Sequence, residues 1–267
     1  MSASLLVKAA RVGRTIARVT PQSAGWRYVG FEALRLGPRE VYEDATAKTE
    51  LCIVVVSGRV DVASGDLSWT GIGNRRSPFE DIAPYAVYLP PGRHVRIAAE
   101  TEAEVALCRA PAKEGVPPRL IEPQSMRRIV RGQGSNTRYV RDILPQDEPA
   151  DALLVVEVIT PPGHSSSYPP HKHDTDAVPV ESSLEETYYH RLDPPQGFAF
   201  QRVYTDDRSL DEAMTVEDRD VVMVPRGYHP VIVPHGYTSY YLNVMAGPQR
   251  VWHFHNDPAH EWMLRSP

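Results

Sequence analysis

Cysteine is scarce: two residues, Cys52 and Cys108, in a chain of 267. Two thiols exclude a disulfide framework and a cysteine-rich zinc module, and their apolar surroundings assign both to the core. Long hydrophobic runs are missing as well. No segment has the length of a membrane span, and MSASLLVKAARVGRT holds no apolar stretch long enough for a secretory leader. A cytoplasmic protein with no membrane partner is therefore expected. Positive charge is not in excess, with 29 Lys and Arg against 34 Asp and Glu and a net charge of -5. General nucleic-acid binding relies on neutralising phosphates and is excluded on that ground. MRRIVRGQGSNTRYVR (126–141) is locally basic, but it lacks interleaved aromatics and a recognition helix, and reads as a solvated strand. Gly-rich phosphate loops, a dinucleotide fingerprint and a Gly-x-Ser-x-Gly elbow are all absent, which argues against NAD, ATP and a serine nucleophile.

What is abundant is proline, at 25 residues about twice the usual share, with 17 glycines beside it. Long helices do not tolerate that punctuation. Between the breaks lie short β-branched and aromatic runs: LCIVVVSGRVDV (51–62), AVYLPPGRHVRI (86–97), ALLVVEVIT (152–160), FAFQRVYT (198–205), DVVMVP (220–225) and SYYLNVMA (239–246). Their lengths and spacing predict an all-β sandwich or barrel. Helical signals are confined to SLDEAM (209–214) and to AHEWM, which follows Asp257 as N-cap and Pro258 at the first helical position. The Pro-punctuated stretch from Pro111 to Gly134 reads as a linker.

An internal repeat flanks that linker. Pro90-x-Gly92-x-His94 closes one strand and Pro225-x-Gly227-x-His229 closes another. Glu50 stands 44 residues before the first histidine and Glu186 stands 43 before the second. The reading is two related β modules, 1–122 and 123–267.

The modules differ in histidine. One of ten, His94, precedes residue 164 and nine follow, so the second module holds a site that the first lacks. In YPPHKHD, His171 and His173 are two apart, which on a strand puts both imidazoles on one face. Glu186 and His229 complete a set of three imidazoles and one carboxylate, suited to a divalent Zn, Mn, Fe, Co or Ni ion. Glu185 is the alternative acid should strand parity slip by one, and His235 the alternative histidine. His190 is expected to be a hydrogen-bonded strand residue near the site. His253-x-His255 is a second same-face pair, read as packing with Trp252, Phe254 and Trp262.

The motif of Gly163, His171, His173, Glu186 and Gly197, followed by Pro225, Gly227 and His229, resembles the two motifs of the cupin superfamily. The gap from His173 to the acid is longer than usual in that family, which implies an inserted loop, DTDAVPVESSL. Further, HSSSYPPHKHD, EETYYHRLDPPQGFAFQRVYTDDRSLDEAM, VPRGYHPVIVPHGYTSYYLNVMAGP and DPAHEW together resemble the 5-deoxy-glucuronate isomerases of myo-inositol catabolism. These bicupins are related to the 4-deoxy-5-keto-uronate isomerases. The resemblance is dense over 160–262 and looser before it. It implies two tandem cupin barrels with few short helices, and a metal-dependent aldose–ketose isomerisation of 5-deoxy-D-glucuronate to 5-dehydro-2-deoxy-D-gluconate.

A uronic acid substrate calls for a cation. In FAFQRVYT, alternation groups Phe198, Phe200, Arg202 and Tyr204, and two phenylalanines suggest that this face points inward, so that Arg202 would meet an anion there, the substrate carboxylate or Glu186. In SYYLNVMA, Tyr241 and Asn243 are expected to face the pocket as donors to the sugar. No residue stands out as the proton-transferring base. An Fe-dependent cupin dioxygenase and a non-catalytic sugar-acid-binding cupin are the alternative readings. A homo-oligomer is expected, a dimer first, because long strands need their edges covered.

Overall fold

The computed structural model describes residues 4–265. Met1–Ala3, Ser266 and Pro267, at the outer ends of the two modules, lie outside the described residues. The first half runs β1 (Leu6–Val7), β2 (Thr15–Val19), β3 (Gly30–Leu36), β4 (Val41–Ala45), β5 (Thr49–Ser57), β6 (Val60–Ser64), β7 (Leu67–Ile72), β8 (Ala86–Leu89), β9 (His94–Ala99), β10 (Ala103–Pro111) and β11 (Arg119–Ile121). The second half runs β12 (Arg128–Arg131), β13 (Arg138–Leu144), β14 (Leu154–Thr160), β15 (Ser165–Ser166), β16 (His171–Lys172), β17 (Asp174–Ala177), β18 (Glu181–Ser183), β19 (Glu185–Asp193), β20 (Phe198–Tyr204), β21 (Asp211–Glu217), β22 (Val221–Val224), β23 (Val231–Ile232), β24 (Thr238–Ala246) and β25 (His255–Asn256). Among the described residues, helix is limited to single turns at Pro21–Ala24, Pro123–Ser125, Gly134–Asn136 and Glu261–Arg265. The fold is all-β, two tandem cupin barrels.

Each barrel closes a large sheet on a small one. The first has β11-β8-β5-β10-β3-β2 against β4-β9-β6-β7; the second has β1-β22-β19-β24-β14-β13-β12 against β15-β23-β20-β21. Strand for strand, the central ladder β8-β5-β10-β3 repeats as β22-β19-β24-β14. One edge crosses over: β1 pairs with β22 of the second barrel, whereas β11 stays with the first and pairs with β8. The stretch read as a linker thus contributes β11 and β12, and SLDEAM lies in strand β21 rather than a helical turn. There, Met214 and Val216 are buried while Asp211, Thr215 and Glu217 are exposed, the two-residue alternation of a strand.

Three apolar clusters follow from this layout. Val60, Val62, Leu51, Ile53 and Leu107 fill the first barrel, and Val156, Tyr188, Ala199, Val203 and Tyr241 fill the second. The third lies between the barrels, where the opposite faces of the two large sheets meet: Phe31, Cys52, Val54, Tyr88 and Cys108 pack on Val155, Tyr189, Tyr240, Leu242 and Val244. Strands buried on both faces read as continuous apolar runs, and LCIVVV is such a run. Both cysteines are fully buried, as expected.

Register corrects the repeat by one residue. Leu51 pairs with Leu89, and Glu186 pairs with Val224, the residues just before Pro90 and Pro225. Leu51 is therefore the counterpart of Glu186, and Glu50 the counterpart of Glu185. Those two glutamates perform the same task in opposite directions. Glu50 accepts hydrogen bonds from the backbone amides of Asp151, Ala152 and Leu153 at 2.6–2.8 Å. Glu185 accepts from the amides of Arg27, Tyr28 and Val29 at 2.6–3.0 Å. Each barrel grips the chain entering the other barrel's large sheet.

Candidate metal centre

The second barrel's interior carries the polar residues. β19 turns Glu186, Tyr188 and His190 inward, and β24, its antiparallel neighbour, turns Tyr241 and Asn243 inward beside them, with Tyr188 opposite Asn243 and His190 opposite Tyr241. His171 and His173 arrive from β16 and the residue after it, and His229 from the turn before β23. The chain brings these distant groups together because the Pro225-x-Gly227 turn reverses direction tightly. Gly227 has φ +90°, and a Cβ there would lie 2.5 Å from the Tyr204 carbonyl oxygen, so no other residue fits.

His173, Glu186 and His229 place their ligand atoms within 4.8 Å of one another, all buried. Glu186 Oε2 stands 3.0 Å from His173 Nε2 and 3.3 Å from His229 Nε2. Each ring is fixed from behind by a backbone carbonyl: His173 Nδ1 lies 3.1 Å from Leu184 O, and His229 Nδ1 lies 2.8 Å from Gly227 O. A proton on Nδ1 donates to the carbonyl and leaves the Nε2 lone pair facing Glu186, the orientation that metal-ligating histidines adopt. His229 Nε2 is buried with no hydrogen-bond partner among the described residues. An unpartnered buried nitrogen beside a carboxylate and a second imidazole fits a divalent cation.

His171 borders this trio. Its ring centroid lies 4.9 Å from that of His229 and 6.3 Å from that of His173, and Phe254 covers it at 4.7 Å. His171 stands outside the group of three whose ligand atoms converge, but on its rim. His235, the alternative, is exposed in the turn after β23. Glu185 is engaged with the first barrel, so Glu186 is the acid that the structure brings to the histidines.

Electrostatics favour the neutral imidazole at His229 and His171. Burial drives His229 down to about 4 against the opposing charge of Glu186, with His173 beside it adding to the downward effect. Burial and the neighbouring His229 and His173 hold His171 well below the usual histidine range. For His173, burial acts downward, but the hydrogen bond and charge of Glu186 outweigh it and the net shift is upward. The phenols of Tyr188 and Tyr241 are raised by burial, so both stay protonated. Tyr241 is hydrogen-bonded to Ser166 through its hydroxyl, and Tyr188 lies 3.1 Å from Ser167 Oγ.

Tyr241 lines the cavity next to the histidines, with Arg138, Ser167, His171, Glu186, Tyr188, Asn243 and Trp252. Arg202 does not. Its strand turns Ala199, Gln201 and Val203 inward, and Phe200 is 44% exposed on the outer face. Arg202 sits there too, in a bidentate pair with Asp211 at 2.7 Å on both arms. The inference from two phenylalanines failed because the large side chains filling the barrel come from the opposite sheet, Tyr188 and Tyr241. The small sheet meets them with small residues and carries its aromatics outside, Phe198 against Tyr237. The cation at the cavity is Arg138, on β13, which the sequence reading passed over. RIVRGQGSNTRYVR does carry a signal: two short alternating runs around a Gly-rich turn read as a hairpin. His190 is as expected, buried and hydrogen-bonded through Nε2 to Gln201 Oε1 at 2.9 Å. Among the described residues, His253 and His255 join no such convergent group.

A profile of the KduI/IolB family matches residues 5–263. The chain belongs to the KduI/IolB family. It is 52% identical over 251 residues to the 5-deoxy-glucuronate isomerase of Geobacillus kaustophilus (strain HTA426), covering 94% of this chain and 91% of that one. The crystal structure of an IolB-like protein from Salmonella typhimurium LT2 superposes with a TM-score of 0.96 at 50% identity, over 98% of this chain and 100% of that one. At 14% identity, a Bacillus subtilis oxalate decarboxylase described by its Mn(II) centres shares the fold, with a TM-score of 0.64 over 98% of this chain and 79% of that one.

Proposed function

We propose that this KduI/IolB-family protein is a metal-dependent isomerase converting 5-deoxy-D-glucuronate to 5-dehydro-2-deoxy-D-gluconate in the cytoplasm, as a step of inositol catabolism. Isomerase activity rests on relatives of that name more than half identical over nine-tenths of the chain. The observation that carries metal dependence is the convergence of His173, Glu186 and His229, with His229 Nε2 buried and unpartnered. His171, at the rim of that trio, is read as the fourth ligand.

In this reaction the proton leaves C2 of the aldose, an enediol forms across C1 and C2, and a proton returns to C1, leaving the carbonyl at the former C2. A divalent ion bound there supplies Lewis-acid stabilisation of the oxyanion that develops on those carbons. Glu186 and the histidines hold it, and the carbonyls behind the rings keep their lone pairs aimed. Tyr188 and Tyr241, protonated and buried, donate hydrogen bonds to the sugar oxygens; such fixed donors act most strongly where water is excluded. Trp252, which lines the cavity, and Phe254, packed on His171, would contribute to that exclusion. The test is removal of metal. Protein stripped by a chelator, verified by elemental analysis, is expected to lose turnover while keeping its circular dichroism. Full rate in verified metal-free protein refutes metal dependence. Running the reaction in deuterated water adds a second readout, because solvent deuterium entering the product at the former C1 marks proton transfer through the enediol.

A further inference from the structure

The hairpin of β12 and β13 places four arginines in two directly opposed pairs, Arg128 with Arg141 and Arg131 with Arg138. Like charges directly across a ladder repel. Members of the two pairs lie three residues apart on each strand, so the pairs project from opposite faces of the hairpin. The first pair is neutralised within the chain: Asp81 accepts from Arg128 at 3.0 Å and from Arg141 at 2.6 Å. The second has no carboxylate partner among the described residues. Arg131 lies over the Trp252 ring, 5.1 Å from its centroid. Arg138 lines the cavity with His171, Glu186 and Tyr241. It is held from one side, with Nη1 within 3.2 Å of Asn136 O, Asn136 Oδ1 and Tyr168 O. The turn that sets this spacing admits only glycine at 132, where a Cβ would sit 2.1 Å from the Asn136 carbonyl oxygen.

We propose that Arg131 and Arg138 form the socket for the carboxylate of the substrate, which takes on this face the place that Asp81 takes on the other. The proposal rests on the isomerase reading above. A half-buried guanidinium pair without an acid is an anion site awaiting its anion. In 5-deoxy-D-glucuronate the carboxylate is C6 and the reacting carbons are C1 and C2, so a socket in the cavity that Arg138 shares with His171 and Glu186 would hold the end of the molecule that does not react. Arg131 and Arg138 are then residues of substrate selection: they favour the acid over its neutral counterpart.

The test compares wild type, Arg138→Gln, Arg131→Gln and Arg138→Lys, with 5-deoxy-D-glucuronate and with neutral 5-deoxy-D-glucose, by steady-state kinetics and by calorimetric binding. Each Gln variant is expected to weaken binding of the acid and raise its KM by about 10- to 100-fold, the loss of a charge-assisted hydrogen bond. Binding of the neutral sugar should change less than about threefold, and Lys at 138 should recover part of the loss. Acid affinity within about twofold of wild type in both Gln variants overturns the socket. So does equal loss with both sugars, which would make Arg138 a brace for the Tyr168 carbonyl and nothing more. Wild type that binds the acid in an Arg138-dependent way without isomerising it overturns the isomerase reading and leaves the socket standing. Turnover of the acid that is indifferent to both arginines does the reverse, and wild type that does not bind the acid overturns both.

Discussion

Two adjacent glutamates with opposite duties show how much depends on one position in a strand. Glu186 meets two imidazoles inside the second barrel, and Glu185 points the other way and holds three amides of the first. Glu186→Gln is expected to abolish stoichiometric metal binding, measured by elemental analysis, and to leave the melting temperature of metal-free protein little changed or raised, since a buried charge is removed. Glu185→Gln should retain metal. It weakens three charge-assisted hydrogen bonds at once, so a loss of about 1–3 kcal/mol is expected by denaturant titration. Metal retained in Glu186→Gln and lost in Glu185→Gln would reverse the assignment. His190 sets a pH dependence at the same scale. Burial lowers its folded-state value to about 4, against an ordinary 6.5. The unfolded chain therefore binds the proton first. The stability contribution is complete above about 6.5 and is lost as pH falls through the window toward 4, up to about 3 kcal/mol. Chemical denaturation of metal-free protein across that window should show the slope, and His190→Gln should make it shallower by one proton's share, His171 and His229 supplying the rest. An unchanged slope in the variant would assign the effect to other buried histidines.

At the scale of elements, the histidine strand, the acid strand and the Pro-x-Gly turn were all legible in the sequence, because same-face spacing and a φ that only glycine takes leave plain marks. Arg202 was misplaced, since parity tells which residues share a face but not which face is inward. The hairpin bearing Arg131 and Arg138 hid inside a stretch that looked like a linker, because its strands are short and their charged residues sit on both faces. The one-residue offset between Glu50 and Glu186 was visible as 44 against 43 residues, but its meaning required strand register. The edge that crosses over left no mark at all. β1 is two residues long and pairs with β22, more than two hundred residues away in the chain. Around it Lys8 pairs with Glu217 at 2.6 Å and Asp220 at 2.7 Å, the Ala9 amide donates to Asp220 at 2.9 Å, and Leu5 enters the second barrel's core. Deleting residues through Ala9 is therefore expected to destabilise the second barrel rather than the first. Hydrogen exchange should speed up in β22 and β19 while β5 and β10 stay protected. Loss of protection confined to the first barrel would contradict the crossed-over edge.

The whole molecule is held by more than its apolar middle layer. Arg75, from a loop of the first barrel, forms a buried bidentate pair with Glu157 on β14 of the second, at 3.0 and 2.8 Å, and Arg141 reaches the same carboxylate at 3.1 Å. Burial alone would lower the Arg75 guanidinium, yet the charge of Glu157 outweighs it and the net shift is upward. A buried pair of this kind costs desolvation on both sides, so its presence alone is a poor measure of stability. Breaking one side is another matter. Glu157→Gln strands Arg75 against the Tyr240 ring with no anion and should cost about 3–5 kcal/mol. Arg141 keeps Asp81 and is spared. Arg75→Met combined with Glu157→Leu removes both charges, and most of the loss should return. A double-mutant cycle by denaturant unfolding measures the coupling. If the double variant is as unstable as Glu157→Gln, the pair contributes packing shape rather than charge to the union of the barrels. If stability returns but the unfolding transition splits in two, the ion pair is what makes the barrels unfold as one.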